Sequence, residues 1–151
     1  MPKQRQPIVS DDFEVPQGLD MDDFVLRPLG PEHNESDYAA WSSSIDHIRA
    51  TPGFPDGDWP HPMTLEENLA DLEMHRRHFD ERVGFTYTVL DAVDRDRVIG
   101  CVYIYGHPEG GAEIQSWVTE SLARLDKPLW QVVSQWLETD WPFDSVSYPA
   151  R

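Results

Sequence analysis

Between Gly84 and Leu137 three strand-like segments follow one another with only short turns between them, and an amphipathic helix comes after the third. In the first segment Phe85, Tyr87 and Val89 alternate with Thr86, Thr88 and Leu90, the period of a strand with two distinct faces. The turn Asp91 to Asp96 leads into the apolar run Val98 to Tyr105, so these two segments form a hairpin. Gly106-His107-Pro108-Glu109-Gly110-Gly111 is a second turn, and Ala112 to Thr119 is the third strand of a meander. Turns this short make neighbouring strands antiparallel. Leu129, Val132, Val133, Trp136 and Leu137 then recur at helical spacing. Pro128 suits the first turn of that helix, where its missing N–H would have no partner anyway, and Trp141-Pro142 ends it. Phe143 to Tyr148 is a last short strand.

Upstream, Phe24 to Leu29 is a short strand closed by Pro28, and Gly30-Pro31 turns the chain. Tyr38, Trp41, Ile45 and Ile48 place one helical stripe between Glu35 and about residue 48. The prolines and glycines of TPGFPDGDWPHP make residues 51–62 a loop, whose Phe54, Trp59 and His61 can cover a cleft. Thr64 with Glu67 is a capping-box pattern, and Leu65, Leu69, Leu72 and Phe79 continue an apolar face to about Arg82. Residues 1–22 mix proline, glutamine and acids without periodicity and read as a flexible leader, leaving 23–151 as one domain. The fold class is therefore α/β, a mixed and mainly antiparallel sheet flanked by helices.

Composition narrows the function classes. Twenty-eight acidic against 12 basic residues give a net charge of −16, which repels polyanions, so neither nucleic acid nor an anionic membrane face suits this chain as a partner. No apolar stretch approaches a membrane span, and the start MPKQRQPIVSDDFEVPQ has no apolar core of a signal peptide. Cys101 is the single cysteine and lies in a strand, which rules out a disulfide framework and points to a reducing cytoplasm. His75 and His78 share a helix face with Glu73, but no third ligand stands at a diagnostic spacing, so no metal site is read.

The strings FVLRPL, TLEENLADL, FTYTVL, VIGCVYIYG, SWV and WPFDSVSYP, in that order, resemble the Gcn5-related N-acetyltransferase superfamily over roughly residues 24–151. The resemblance implies an acetyl-CoA-dependent N-acetyltransferase acting on a primary amine of a small molecule or peptide. It also leaves open a relative that keeps the fold as a ligand-binding or protein-interaction module. The superfamily usually continues beyond the strand matching Ser145 to Tyr148, so the sheet is expected to end in an uncovered edge, which a homodimer would pair.

Site residues follow from the same resemblance. The strand matching Ala112 to Thr119 splays from its neighbour in this superfamily, and backbone at Trp117, Val118 and Thr119 would hold the pantetheine arm and the acetyl carbonyl. The phosphate loop corresponds to residues 124–129, RLDKPL, where Lys127 and Leu129 stand in place of glycines and Pro128 lacks an amide donor. Arg124 and Lys127 would meet the phosphates by charge instead, or Asp126 would simply cap the helix between two solvated cations. Glu113 is the candidate general base and Tyr148 the candidate acid for the leaving thiolate.

Overall fold

A computed structural model describes residues 6–54 and 59–151. Six strands form one sheet in chain order: β1 (Leu19–Asp20), β2 (Phe24–Pro28), β3 (Gly84–Asp91), β4 (Val98–Gly106), β5 (Ala112–Val118) and β6 (Val146–Ser147). Every pairing is antiparallel except β5 with β6, because α4 (Asp126–Asp140) lies between them and brings the chain back in the same direction. The remaining helices are α1 (Asn34–Ser42), α2 (Ile45–Arg49) and α3 (Leu65–Asp80). Among the described residues no helix is long and apolar enough to cross a membrane.

The sheet separates two cores, as the period-two alternation requires. On one face Trp41, Ile48 and Leu72 from the first three helices pack on Val25, Leu90, Cys101 and Trp117. On the other, Leu129, Val133, Trp136 and Leu137 of α4 pack on Tyr87, Val102, Ile104 and Ile114. The register of β3 against β4 shifts between Val89 and Leu90, a bulge at Ile99 that increases local twist. Next to it, a Cβ on Gly100 would lie 2.5 Å from the Trp117 carbonyl oxygen, so this close approach of β4 and β5 requires glycine.

The capping box at Thr64 forms, with both the Glu67 N–H to Thr64 Oγ1 and the Thr64 N–H to Glu67 Oε1 bonds in place. The buried stripe of α3, however, runs through Asn68, Leu72 and Phe79, while Leu65 is exposed. Asn68 is tolerated there because its amide is fully used, accepting from Trp41 Nε1 and donating to Asn34 and Asp37. The single helix expected from Glu35 to Ile48 is two, broken at Ser43 and Ser44. Ser43 Oγ donates back to Ala40 O, and Ser44 Oγ is taken by the Glu120 N–H. The last strand is also shorter than Phe143 to Tyr148, because Phe143 stacks on Trp141 and Tyr148 turns toward Ser116.

The leader expected up to residue 22 is largely absent as such. Between residues 6 and 22 the chain runs over the α4 side of the sheet, with Val9 buried, Ile8, Phe13 and Val15 packed against that core, and β1 adding an edge strand. Arg82 donates to the Ser10 and Phe13 carbonyls, and the Tyr87 hydroxyl donates to Pro16 O. Composition missed this because these bonds engage backbone carbonyls, which no side-chain pattern announces. Residues 1–5 lie outside the described residues.

Candidate active site

β5 and β6 pair only at Ala112 with Val146 and Glu113 with Ser147, and then part. Beyond that point β5 has β4 on one side and, on the other, an opening in the sheet that Tyr148 and Arg151 cover at Ser116. Alternation decides which backbone groups face the opening. Thr119 N–H donates back to Ile99 O on β4, whereas Ser116 O accepts from outside the β4–β5 ladder, so Val118, two residues after Ser116, turns its N–H toward the opening. Of the three residues named from the resemblance, Val118 is the one whose amide lies outside the β4–β5 ladder. Trp117, opposite Cys101, directs its amide into the ladder, and Thr119 spends its own on Ile99. The Trp117 indole is fully buried and donates to the Tyr103 hydroxyl, so its side chain belongs to the core.

Tyr148 reaches this edge. Its hydroxyl shares a 2.6 Å hydrogen bond with Ser116 Oγ, and its ring lies 6.3 Å from that of Trp130 on α4. Burial, only partly offset by the Ser116 bond, pushes its pKa up to about 12, so it carries its proton at neutral pH.

The start of α4 holds a contact no sequence pattern indicated. Arg151, its side chain 3% exposed, donates from Nε to Asp126 Oδ2 at 2.6 Å, from NH1 to Pro149 O at 2.8 Å and from NH2 to Ser116 O at 2.8 Å. Asp126 is thus the first residue of α4 and the partner of Arg151, while Leu125 takes the N-cap position expected for Asp126. The reason is local: the 3-10 turn Glu120–Leu125 runs straight into α4, with the Asp126 N–H bonded to Ala123 O. Arg124 and Lys127 are both exposed, one on that turn and one in the first turn of α4.

No family model matches the chain, and no curated protein matches it by sequence. Solved structures do match it. A ribosomal-protein-S5-alanine acetyltransferase from Vibrio fischeri superposes with a TM-score of 0.61 at 12% identity, over 80% of this chain and 66% of the other. The ribosomal L7/L12 α-N-protein acetyltransferase in complex with coenzyme A gives 0.60 at 14% identity, over 80% and 67%. The microcin C7 self-immunity acetyltransferase, in complex with acetyl-CoA and AMP, gives 0.60 at 12%, over 82% and 66%. The chain has the Gcn5-related N-acetyltransferase fold. It spans about two thirds of the length of these three structures.

Two of these structures hold coenzyme A or acetyl-CoA, and the two ends of such a molecule would meet different surroundings in this chain. The parted edge of β5 carries two groups an acyl thioester could use, the Val118 N–H and the Tyr148 hydroxyl, while the Arg151 guanidinium occupies Ser116 O beside them. The α4 start does not fit a diphosphate held by backbone amides: the Asp126 amide is used, Pro128 has none, and a carboxylate already sits there on a guanidinium. Glu113 lies on the other side of the sheet from Tyr148, exposed beside Tyr105 and His78. The two candidates thus lie on opposite faces of the sheet, Glu113 where β5 and β6 still pair and Tyr148 against Ser116 beyond their parting.

A second concavity lies on the Glu113 face, a cavity of about 260 Å³ lined by Phe54, Trp59, Tyr103, Asp37, Asp71 and Gln115 among others. The loop aromatics Phe54 and Trp59 do cover a cleft, as expected, whereas exposed His61 is not among the lining residues. Gln115 Nε2 donates to Gly53 O at 2.7 Å, and Gly53 also approaches the Pro149 ring. That strip is the cavity wall nearest Pro149, the residue after Tyr148. Burial raises the Asp37 pKa to about 6, with the Asn68 amide lowering it and the Asp71 carboxylate raising it further. A carboxyl that binds its proton more tightly when folded stabilises the fold below its unfolded pKa of about 4, and that stabilisation is lost as the pH rises through about 6. Asp37→Asn, which keeps an acceptor for Asn68, is thus expected to gain up to about 3 kcal/mol over the wild type at neutral pH and nothing near pH 4. Urea unfolding at both pH values checks this; a gap independent of pH would disprove the assignment.

Proposed function

We propose that this chain is an N-acetyltransferase that moves an acetyl group from a thioester, acetyl-CoA as the general donor, to an amine of a small molecule or peptide. The observation that supports the reading is that β5 pairs with β6 only at Ala112 and Glu113, so that the outer edge of β5 from Ser116 to Val118 has no strand beside it among the described residues and Tyr148 reaches that edge at Ser116. Acetyl-CoA supplies the activated acetyl group. The Val118 N–H is placed to donate to a carbonyl oxygen in the opening and to bind it better as negative charge develops. The Tyr148 hydroxyl, protonated at neutral pH, is a proton source for a leaving thiolate. Glu113, exposed on the opposite face, is a proton acceptor for an ammonium, directly or through water. Arg124 and Lys127 offer charge near the α4 start.

Release of free thiol, followed with a panel of primary amines, tests this reading. Tyr148→Phe and Glu113→Gln are each expected to lower kcat by about 100-fold while the thermal midpoint stays close to that of the wild type. Acetyl-CoA and its nucleotide-free fragment acetylpantetheine are expected to agree in kcat/KM within about tenfold, because the α4 start lacks an amide cradle for the diphosphate. Absence of amine-dependent thiol release with either donor would sink the proposal.

A further inference from the structure

The cavity on the Glu113 face is unusual in what it leaves unbalanced. Its walls are aromatic: Phe54, Trp59 and Tyr103 stand with ring centroids 6.1 to 6.4 Å apart. Its acidic groups are Asp37 from α1 and Asp71 from α3. Asp37 is 4% exposed, and its one side-chain hydrogen bond among the described residues comes from neutral Asn68. Asp71 raises the Asp37 pKa, so the two carboxylates feel one another, and the imidazole of His61 acts on Asp71. His75 is the other titratable group on the α3 wall.

A carboxylate without a cation partner in such a place is costly, since desolvation favours its neutral form. Sites that store this cost are where function is commonly found. Two features act together on one ligand class. Aromatic faces attract a cation through their quadrupole and also accept the hydrocarbon beside the charge. Carboxylates supply the counter-charge and hydrogen-bond acceptors. A hydrated metal ion would not use the aromatic walls, and a neutral apolar molecule would leave Asp37 uncompensated.

We propose that this cavity binds an organic cation, an alkylammonium whose charged head meets Asp37 and Asp71 and whose carbons pack on Phe54, Trp59 and Tyr103. As a binding site it stands apart from acetyl transfer. As the place where an amine acceptor waits, it rests on the acetyltransferase reading.

Titration in the absence of any acyl donor tests it, with intrinsic tryptophan fluorescence reporting Trp59 and calorimetry as the second readout. The ligands are butylammonium, tetramethylammonium and neutral 1-butanol at fixed ionic strength. Both cations should bind saturably, and at least about tenfold more tightly than the alcohol. Asp71→Asn and Trp59→Leu should each weaken the cations by about tenfold without matching loss for the alcohol. Asp37→Asn, expected to fold at least as well as the wild type, should do the same. Equal binding of alcohol and cations, a response that does not saturate, or affinities unchanged in all three variants would overturn the proposal. The last two outcomes would mean diffuse attraction by the acidic surface. Because no donor is present, a failed transfer assay leaves this result unaffected, and failure here leaves the reading of the opening intact.

Discussion

Arg151→Ala is expected to destabilise the fold by about 3 kcal/mol, seen as a fall in thermal midpoint of about 6 to 12 °C for a domain of this size. The side chain is 3% exposed and holds four acceptors at once: Asp126 Oδ2, Pro149 O, Ser116 O and, at 3.4 Å, Ser116 Oγ. Its removal leaves the Asp126 carboxylate without its counter-charge, and Asp126 Oδ1 is already buried without a hydrogen-bond partner among the described residues. An uncompensated charge of this kind, rather than the lost contacts, dominates the cost. Two controls separate the causes. Arg151→Lys keeps the charge but not the planar fork that reaches several oxygens together, so an intermediate loss is expected. Asp126→Ala combined with Arg151→Ala removes the stranded charge and should recover much of the midpoint. A midpoint of Arg151→Ala within about 2 °C of the wild type would refute the assigned role. The same substitution frees Ser116 O, a backbone acceptor beside the opening, for an extended ligand. A lower KM for the acetyl thioester is therefore expected alongside the lower stability, a trade of the kind seen where a functional cleft is held partly closed.

What the sequence shows of this protein depends on whether the cause is local. The Thr64–Glu67 capping box, the α4 stripe Leu129, Val133, Trp136 and Leu137, and the meander from Gly84 to Val118 are all set by neighbours in the chain, and all three form. The two-faced alternation of β5 likewise places Trp117 with Gln115 on one face, as the register confirms. Contacts that span the chain were not legible. Arg151 is a single arginine in an unpatterned segment, and nothing near it in sequence announces Asp126, 25 residues away. Asn68 looks like an exposed helix residue until Trp41 and Asp37, from a different helix, are seen to use its amide. The cavity draws Asp37, Phe54, Asp71 and Tyr103 from four separate segments, so its charge imbalance exists only in three dimensions. The segment 6–22 fails as a sequence reading for a different reason: its packed apolar residues Ile8, Val9, Phe13 and Val15 follow no period, and its hydrogen-bond anchors are backbone carbonyls that every sequence has.

Val118→Pro is expected to lower kcat for acetyl transfer by about 100- to 1,000-fold, the effect of losing one donor to a developing oxyanion. Proline removes the backbone N–H and little else of the sheet, because at Val118 that N–H faces the opening and takes no part in the β4–β5 ladder. The preceding Trp117 lies in β5, where the extended conformation that proline imposes on its predecessor already exists. The Val118 side chain is buried, so packing is lost too, and Val118→Ala measures that loss with the N–H retained. The alanine variant should keep kcat within about tenfold and share most of any midpoint shift. Trp117→Pro supplies the contrast in stability: it deletes a ladder donor opposite Cys101 and a buried indole, and it should fail to fold or unfold far below the wild type. If Val118→Pro folds and turns over like Val118→Ala, the amide is not an oxyanion donor, and the parting of β5 from β6 serves something other than acetyl transfer. If it folds and loses the rate while acetylpantetheine still binds, the loss lies in the chemical step, where a donor that strengthens only as charge develops must act.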